Sequence, residues 1–200
     1  YSQNGGNGFL QSKTNDAITF LEILTQKYDV AVANPPYTDS ADFGPELKSF
    51  IENNYRKPYS FNANLYAVFI KRCYELLNEK GKMALIHPLT FMYIKSFEDV
   101  RKFIVEKMHI DQFVEFGLGG VFTSKVDVDV AGYILEREKR QNTETFFMNL
   151  QKYKGLKVKR NIFEAAYLDY LNNSPNNHNY TIDQAKFKII KSWPFIYWIS

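Results

Sequence analysis

Short apolar, β-branched runs alternate with amphipathic segments along the first two-thirds of the chain, and this alternation restricts the possible folds most. Strands are predicted at Tyr28–Ala33, Lys82–His87, Ile110–Phe116 and Val128–Leu135. Helices are predicted at Ala17–Gln26, Pro45–Tyr55, Asn62–Glu79 and Phe97–Lys107. This order predicts an α/β fold with a mostly parallel sheet and an antiparallel terminal strand. The run Tyr28–Ala33 is expected to be buried on both faces, as is typical of parallel sheets.

The pattern weakens after Glu136, where the charge also changes. From Arg137 to Ser200 the chain has 11 Lys and Arg against 5 Asp and Glu, although its total charge is only +3. We therefore predict two regions, residues 1–136 and a basic region 137–200. A basic region suits contact with phosphates, but a solvated charged face would have the same composition.

Lysines cluster early in this basic region. The segment Lys154–Lys159 is predicted as a strand. Its alternation would place several cations on one face, suited to a DNA backbone. Lysines that protect an exposed edge strand would give the same pattern. The cluster consists of Lys152, Lys154, Lys157, Lys159 and Arg160, with Tyr153 among them.

Composition excludes several classes of protein. Hydrophobic residues make up 45% and charged residues 24%, which is ordinary for a globular chain. No apolar run approaches the roughly 20 residues of a membrane span. A single cysteine, Cys73, excludes an intramolecular disulfide framework and fits a reducing, cytoplasmic location. Neither His109 nor His178 has a partner at metal-ligand spacing, so no metal is predicted.

The tetrapeptide Asn34-Pro35-Pro36-Tyr37 is the most informative motif, because it lies where the first strand ends. Ligands bind outside the carboxyl ends of strands in open α/β sheets. The side-chain carbonyl of Asn34 and the main-chain carbonyl of Pro35 are two acceptors that can hold an exocyclic amine. The prolines fix φ and remove competing N–H donors. Tyr37 offers an aromatic face for a flipped base.

The chain resembles the γ-class N6-adenine DNA methyltransferases. The residues from Asp29 to Tyr37 look like motif IV of methyltransferases that modify amino groups. Further segments follow in the order seen in that class, and the likeness is greatest to the BREX PglX type or related restriction–modification enzymes. These segments are Asn64–Phe69, Gly81–Pro88 and Val121–Val126.

The resemblance implies a partial Rossmann-like fold that uses S-adenosylmethionine to methylate double-stranded DNA, in restriction–modification or phage defence. It implies that Asn34, Pro35, Pro36 and Tyr37 are catalytic, with Tyr37 also contacting the base. It implies that Phe122 packs on the other side of the base. It implies that Phe69 lines the pocket for the cofactor adenine, although Phe69 also fits the apolar stripe of a core helix.

The family holds its cofactor mainly with an upstream strand, a Gly-rich loop and a helix, and none of these is recognisable in the sequence. Residues 1–136 are therefore predicted to be the C-terminal half of a catalytic domain. Residues 137–200 would begin a target-recognition or linker region. The isolated chain is expected to be inactive. Glutamine N5 protein methylation, RNA methylation and a non-catalytic nucleic-acid-binding module remain open alternatives.

Overall fold

The computed structural model describes residues 5–119, 121–122, 128–138, 140 and 143–198. Residues Thr123–Val126 of the motif noted above lie outside these ranges. The helices are α1 (Gly5–Thr25), α2 (Pro45–Tyr55), α3 (Leu65–Leu76), α4 (Glu98–Lys107) and α5 (Leu156–Leu171). The strands are β1 (Tyr28–Ala33), β2 (Leu77–Pro88), β3 (His109–Gly117), β4 (Val130–Glu136), β5 (Glu144–Asn149) and β6 (Asn179–Asp183).

The six strands form one mixed sheet in the order β1-β2-β4-β3-β5-β6. The pairs β1–β2 and β3–β5 are parallel, whereas β4 is antiparallel to both β2 and β3. Four strands, β1, β2, β3 and β5, consequently run in the same direction. The predicted antiparallel strand is β4, which lies inside the sheet, and β6 adds a second antiparallel strand at the edge.

The main core lies on the face of the sheet that carries α3 and α4. Buried residues from these helices, such as Ile70 and Phe103, pack with Leu85 and Phe113 from the strands. A smaller cluster lies between α5 and the strands β3 and β5. Among the residues with described coordinates, no helix combines the length and apolarity needed to cross a bilayer.

Strand β1 differs from the prediction that both of its faces are buried. Val30 and Val32 point away from the core and are 63% and 74% exposed. They remain exposed because no described helix covers this end of the sheet, whereas α5 covers the part formed by β3 and β5. An apolar groove along this face is lined by Val32, Ala84, Ile86, Gly132, Ile134 and Phe163, among others.

The segment Lys154–Lys159 is not a strand, because Leu156 begins α5. The apolar residues that follow recur at helical spacing, and this helix buries Ala166 against β5. Lys159 is only 2% exposed, so it cannot belong to a surface row of cations. Helix α1 also begins earlier than predicted, at Gly5, because an adjoining helix can propagate into a Gly-rich stretch at modest cost.

Candidate active site

The loop Asn34–Tyr37 follows β1 at the edge where the parallel strands β1 and β2 both end. Pro35 is buried, Asn34 and Pro36 are exposed, and Tyr37 is half-buried against the main core. The motif thus presents its polar side chain to solvent while one proline fixes it to the fold. This is the position that the sequence predicted for a ligand site.

Asn34 and Tyr37 are joined by a hydrogen bond. The Tyr37 hydroxyl donates to Asn34 Oδ1 over 2.8 Å. Partial burial raises the pKa of Tyr37, which keeps this hydroxyl protonated and able to donate. An amide oxygen has two lone pairs, so Asn34 Oδ1 can still accept a second hydrogen bond from a ligand. The carbonyl oxygen of Pro35 accepts no hydrogen bond from any residue that the structure describes.

Asn64 supports this loop through hydrogen bonds, and the sequence did not predict this supporting role. It precedes α3 as the N-cap, and its Oδ1 accepts from the backbone N–H of Tyr66 over 3.2 Å. Its Nδ2 donates to Asp39 Oδ1 over 2.7 Å and to the Tyr37 carbonyl over 3.5 Å. A buried amide thus connects the start of α3 to the motif. Its sequence signals were the ordinary preference for Asn at N-caps and its position at the start of the family-like segment Asn64–Phe69.

An open cleft of about 920 Å³ lies beside the motif. Its volume lies within the usual range for ligand sites. It brings together all four predicted catalytic residues and the predicted base-packing residue Phe122. The lining consists of Asn34, Pro35, Pro36, Tyr37, Val121, Phe122 and Leu156.

Leu156 is the lining residue that sequence reasoning missed. It is the first residue of α5 and is 61% exposed. The assignment of Lys154–Lys159 to a strand concealed the helix that begins at Leu156. The helical spacing of the apolar residues Leu156, Ile162 and Phe163 was the available signal.

Phe69 does not line this cleft. It lies in α3 between the buried residues Val68 and Ile70 and is itself 37% exposed. A core role for this ring is therefore wrong.

His87, near the end of β2, is a buried residue with a structural role. Its side chain is fully buried, and its Nδ1 lies 2.9 Å from the carbonyl oxygen of Pro88, to which only an N–H can donate. Nε2 is then the acceptor for the Tyr133 hydroxyl at 2.5 Å. Desolvation lowers the pKa of His87 to about 4, so the ring is neutral at physiological pH.

A family model described as Eco57I restriction-modification methylase matches residues 4–122, which include the Asn34–Tyr37 loop and Phe122. The chain belongs to the Eco57I restriction-modification methylase family. This confirms the family resemblance found in the sequence.

Two proteins similar to this methylase chain are described as adenine-specific methyltransferases. It is 27% identical over 182 residues to the adenine-specific methyltransferase PglX of Lacticaseibacillus casei (strain Zhang), covering 88% of this chain and 14% of that protein. It is 32% identical over 84 residues to the adenine-specific methyltransferase BrxX of Escherichia coli O9:H4 (strain HS), covering 42% of this chain and 7% of that protein. The chain thus spans only a small part of each relative.

A solved structure shows the same fold. The methyltransferase subunit of the type I restriction-modification system from Streptococcus thermophilus aligns with a TM-score of 0.60 at 15% identity. The alignment covers 84% of this chain and 37% of that chain. This similarity confirms the predicted partial Rossmann-like methyltransferase fold.

Proposed function

We propose that this methylase chain is the part of a site-specific, adenine-specific DNA methyltransferase that holds the target base. The single observation that carries the proposal is the cleft that Asn34, Pro35 and Tyr37 line together with a second aromatic residue, Phe122. Two aromatic rings and two carbonyl acceptors match the needs of a flipped adenine. Its flat ring needs stacking and its amino group needs acceptors.

Asn34, Pro35 and Tyr37 would act together on the amino group of the adenine. Asn34 Oδ1 and the Pro35 carbonyl would accept the two hydrogens of the adenine N6 amine. Acceptors placed in this way favour an sp³ nitrogen, whose lone pair is no longer delocalised into the ring. Fixed dipoles of this kind stabilise the positive charge that develops on nitrogen during alkylation. Tyr37 holds the Asn34 oxygen in place through its 2.8 Å hydrogen bond.

The proposed cofactor is S-adenosylmethionine, which would supply the methyl group. Phe69 fits a contact with its adenine, because this ring is exposed although its neighbours on α3 are buried. The remaining contacts would come from a longer polypeptide. The exposed face of β1, with Val30 and Val32, supports this, since apolar residues in a parallel sheet are normally covered.

Exposed lysines beside the cleft support DNA as the substrate. Lys154 and Lys157 flank Leu156 in sequence, and both are exposed without an ion pair to any residue with described coordinates. Arg160 is instead paired with Glu164 at 2.8 Å. We propose that Lys154 and Lys157 contact phosphates next to the flipped adenine. A DNA substrate implies a cytoplasmic location.

We further propose that residues 1–136 are the second half of the catalytic domain. The basic residues 137–200 would lead into target recognition, although β5 and β6 continue the same sheet.

The test is methylation of duplex DNA by the full-length protein with radiolabelled cofactor. We expect label on adenine N6, no label with the Asn34→Ala variant, and none with residues 1–200 alone. Single-stranded RNA and a glutamine-containing protein substrate run in parallel test the alternative acceptors. Near-normal methylation by Asn34→Ala would contradict the proposal.

A further inference from the structure

Lys159 is a charged side chain that is almost completely buried, with 2% of its surface exposed. Its Nζ lies 2.5 Å from the carbonyl oxygen of Phe116, 2.8 Å from that of Leu118 and 2.6 Å from that of Gly119. An ammonium group has three N–H donors, so three carbonyls match its full capacity. Within the described part of the chain, no carboxylate forms an ion pair with Lys159. The three carbonyls are therefore what offsets the cost of burying this charge.

These carbonyls belong to the end of β3 and to the loop that leads toward Phe122. The loop bends at Gly117 and Gly119, which have φ values of +70° and +67°. At Gly117 a Cβ atom would come within 2.7 Å of Gln151 Cα, so only glycine fits there. Carbonyls in such a bend have no strand neighbour and need a donor from water or from another part of the chain. Lys159 is that donor.

Helix α5 is thereby connected to the candidate active site through two residues, Leu156 and Lys159. Leu156, one turn before Lys159, lines the cleft directly. Lys159 holds the loop whose continuation, Val121 and Phe122, lines the same cleft. The helix is itself fixed by packing on β3 and β5 through Ala166 and its neighbours. The rigid sheet thus sets the position of the loop through one ammonium group.

We propose that Lys159 is a positioning residue for the base-binding cleft, which fixes the loop so that Phe122 faces Tyr37. The inference rests on the proposed function, because the position of Phe122 matters only if the cleft receives a flipped base. Without the ammonium group three carbonyls would need water, and the loop would leave its position. The Asn34–Tyr37 corner would stay intact, since Asn64 and not Lys159 supports it.

The test is a double-mutant cycle in the full-length enzyme, read as single-turnover methylation of duplex DNA. Loss of one base–aromatic contact corresponds to a roughly 5- to 150-fold loss of rate. We expect Lys159→Met to lose about this much and Phe122→Ala to lose a similar amount. The double variant should be no more than about twofold worse than Phe122→Ala, because both changes remove the same contact. A merely structural role for Lys159 would instead multiply the two losses.

Two further readouts separate positioning from a general loss of structure. Lys159→Arg retains a buried cation with several N–H donors, and we expect it to recover part of the rate. With 2-aminopurine at the target position, the fluorescence lifetimes of Lys159→Met should match those of Phe122→Ala and differ from the wild type. Lys107→Met is the matched control, because this exposed lysine lies just before β3 begins, whereas the cleft lies beyond the end of β3.

The outcomes distinguish the inference from the function on which it rests. Absence of methylation by the wild-type enzyme, or normal methylation by Asn34→Ala, refutes the proposed function. If those controls behave as expected, wild-type rates for Lys159→Met or independent effects of Lys159 and Phe122 overturn the inference alone. If Lys159→Met does not fold, Lys159→Gln retains two of the three N–H donors, without the charge, and enters the same cycle. Failure of both variants to fold would mean a global structural role and also overturn it.

Discussion

The Tyr37 side chain has two separable tasks, and substitution can measure each. Its hydroxyl donates to Asn34 Oδ1 over 2.8 Å, while its ring lines the cleft. Tyr37→Phe removes only the hydrogen bond, which contributes about 0.5–1.5 kcal/mol, or roughly a two- to twelvefold effect. Tyr37→Ala also removes the stacking surface, which contributes about 1–3 kcal/mol more. The alanine variant should therefore be slower than the phenylalanine variant by a further factor of roughly 5 to 150.

The assay is single-turnover methylation by the full-length enzyme at saturating DNA, with affinity for the same duplex measured separately. We expect Tyr37→Phe to reduce the rate modestly, because Asn34 loses its orientation but the base still stacks. We expect Tyr37→Ala to weaken binding of DNA as well, since the flipped state is no longer stabilised. Equal rates for the two variants would refute the division of roles, because the ring would then contribute nothing.

Three further predictions concern residues around the site. Replacing Lys154 and Lys157 with alanine should weaken DNA binding and reduce the slope of log affinity against log salt by up to about 2, measured by fluorescence anisotropy. Because His87 is neutral when folded and its pKa falls to about 4, the unfolded state binds more protons between pH 6.5 and pH 4. Acidification from pH 7 to pH 5 should therefore cost about 2 kcal/mol of stability through His87, and urea denaturation of His87→Gln should lack this component. Asn64→Ala should lower the free energy of unfolding by about 1–2 kcal/mol, through loss of the α3 cap and the bond to Asp39, whereas Asn64→Ser should retain the cap and lose less.

Each of these predictions has an outcome that would contradict it. An unchanged salt slope would show that Lys154 and Lys157 contact no phosphate. Replacing two other exposed lysines, Lys107 and Lys186, with alanine is a control that makes the same change in charge. An identical pH dependence for wild type and His87→Gln would mean that another group titrates. Equal stabilities of Asn64→Ala and the wild type would show that the loop does not depend on this amide.

The sequence located the Asn34–Tyr37 loop correctly at the end of β1, but it misassigned some of the elements around it. A strand followed by two prolines must end at the sheet edge, so the position of Asn34 followed from local chemistry alone. Phe122 was placed opposite only through motif order, and the structure brings it to the same cleft. Neither inference required knowledge of tertiary packing.

The errors arose where tertiary contacts decide the outcome. Alternating lysines resemble an exposed strand, yet Lys159 is buried because three carbonyls from another segment surround it. No local pattern contains those acceptors. The exposure of Val30 and Val32 was missed for a similar reason, since a β-branched run looks the same whether or not other chain segments cover it. Burial in both cases depends on residues distant in sequence.

The uncovered side of β1 has a practical consequence for anyone who handles these 200 residues alone. No strand among the described residues pairs with the outer edge of β1, and such an edge next to apolar side chains such as Val30 and Val32 is a template for association between copies. We expect a recombinant product limited to this segment to precipitate or to form soluble aggregates. Co-expression with, or fusion to, a polypeptide that covers this face of β1 should restore a monodisperse species on gel filtration.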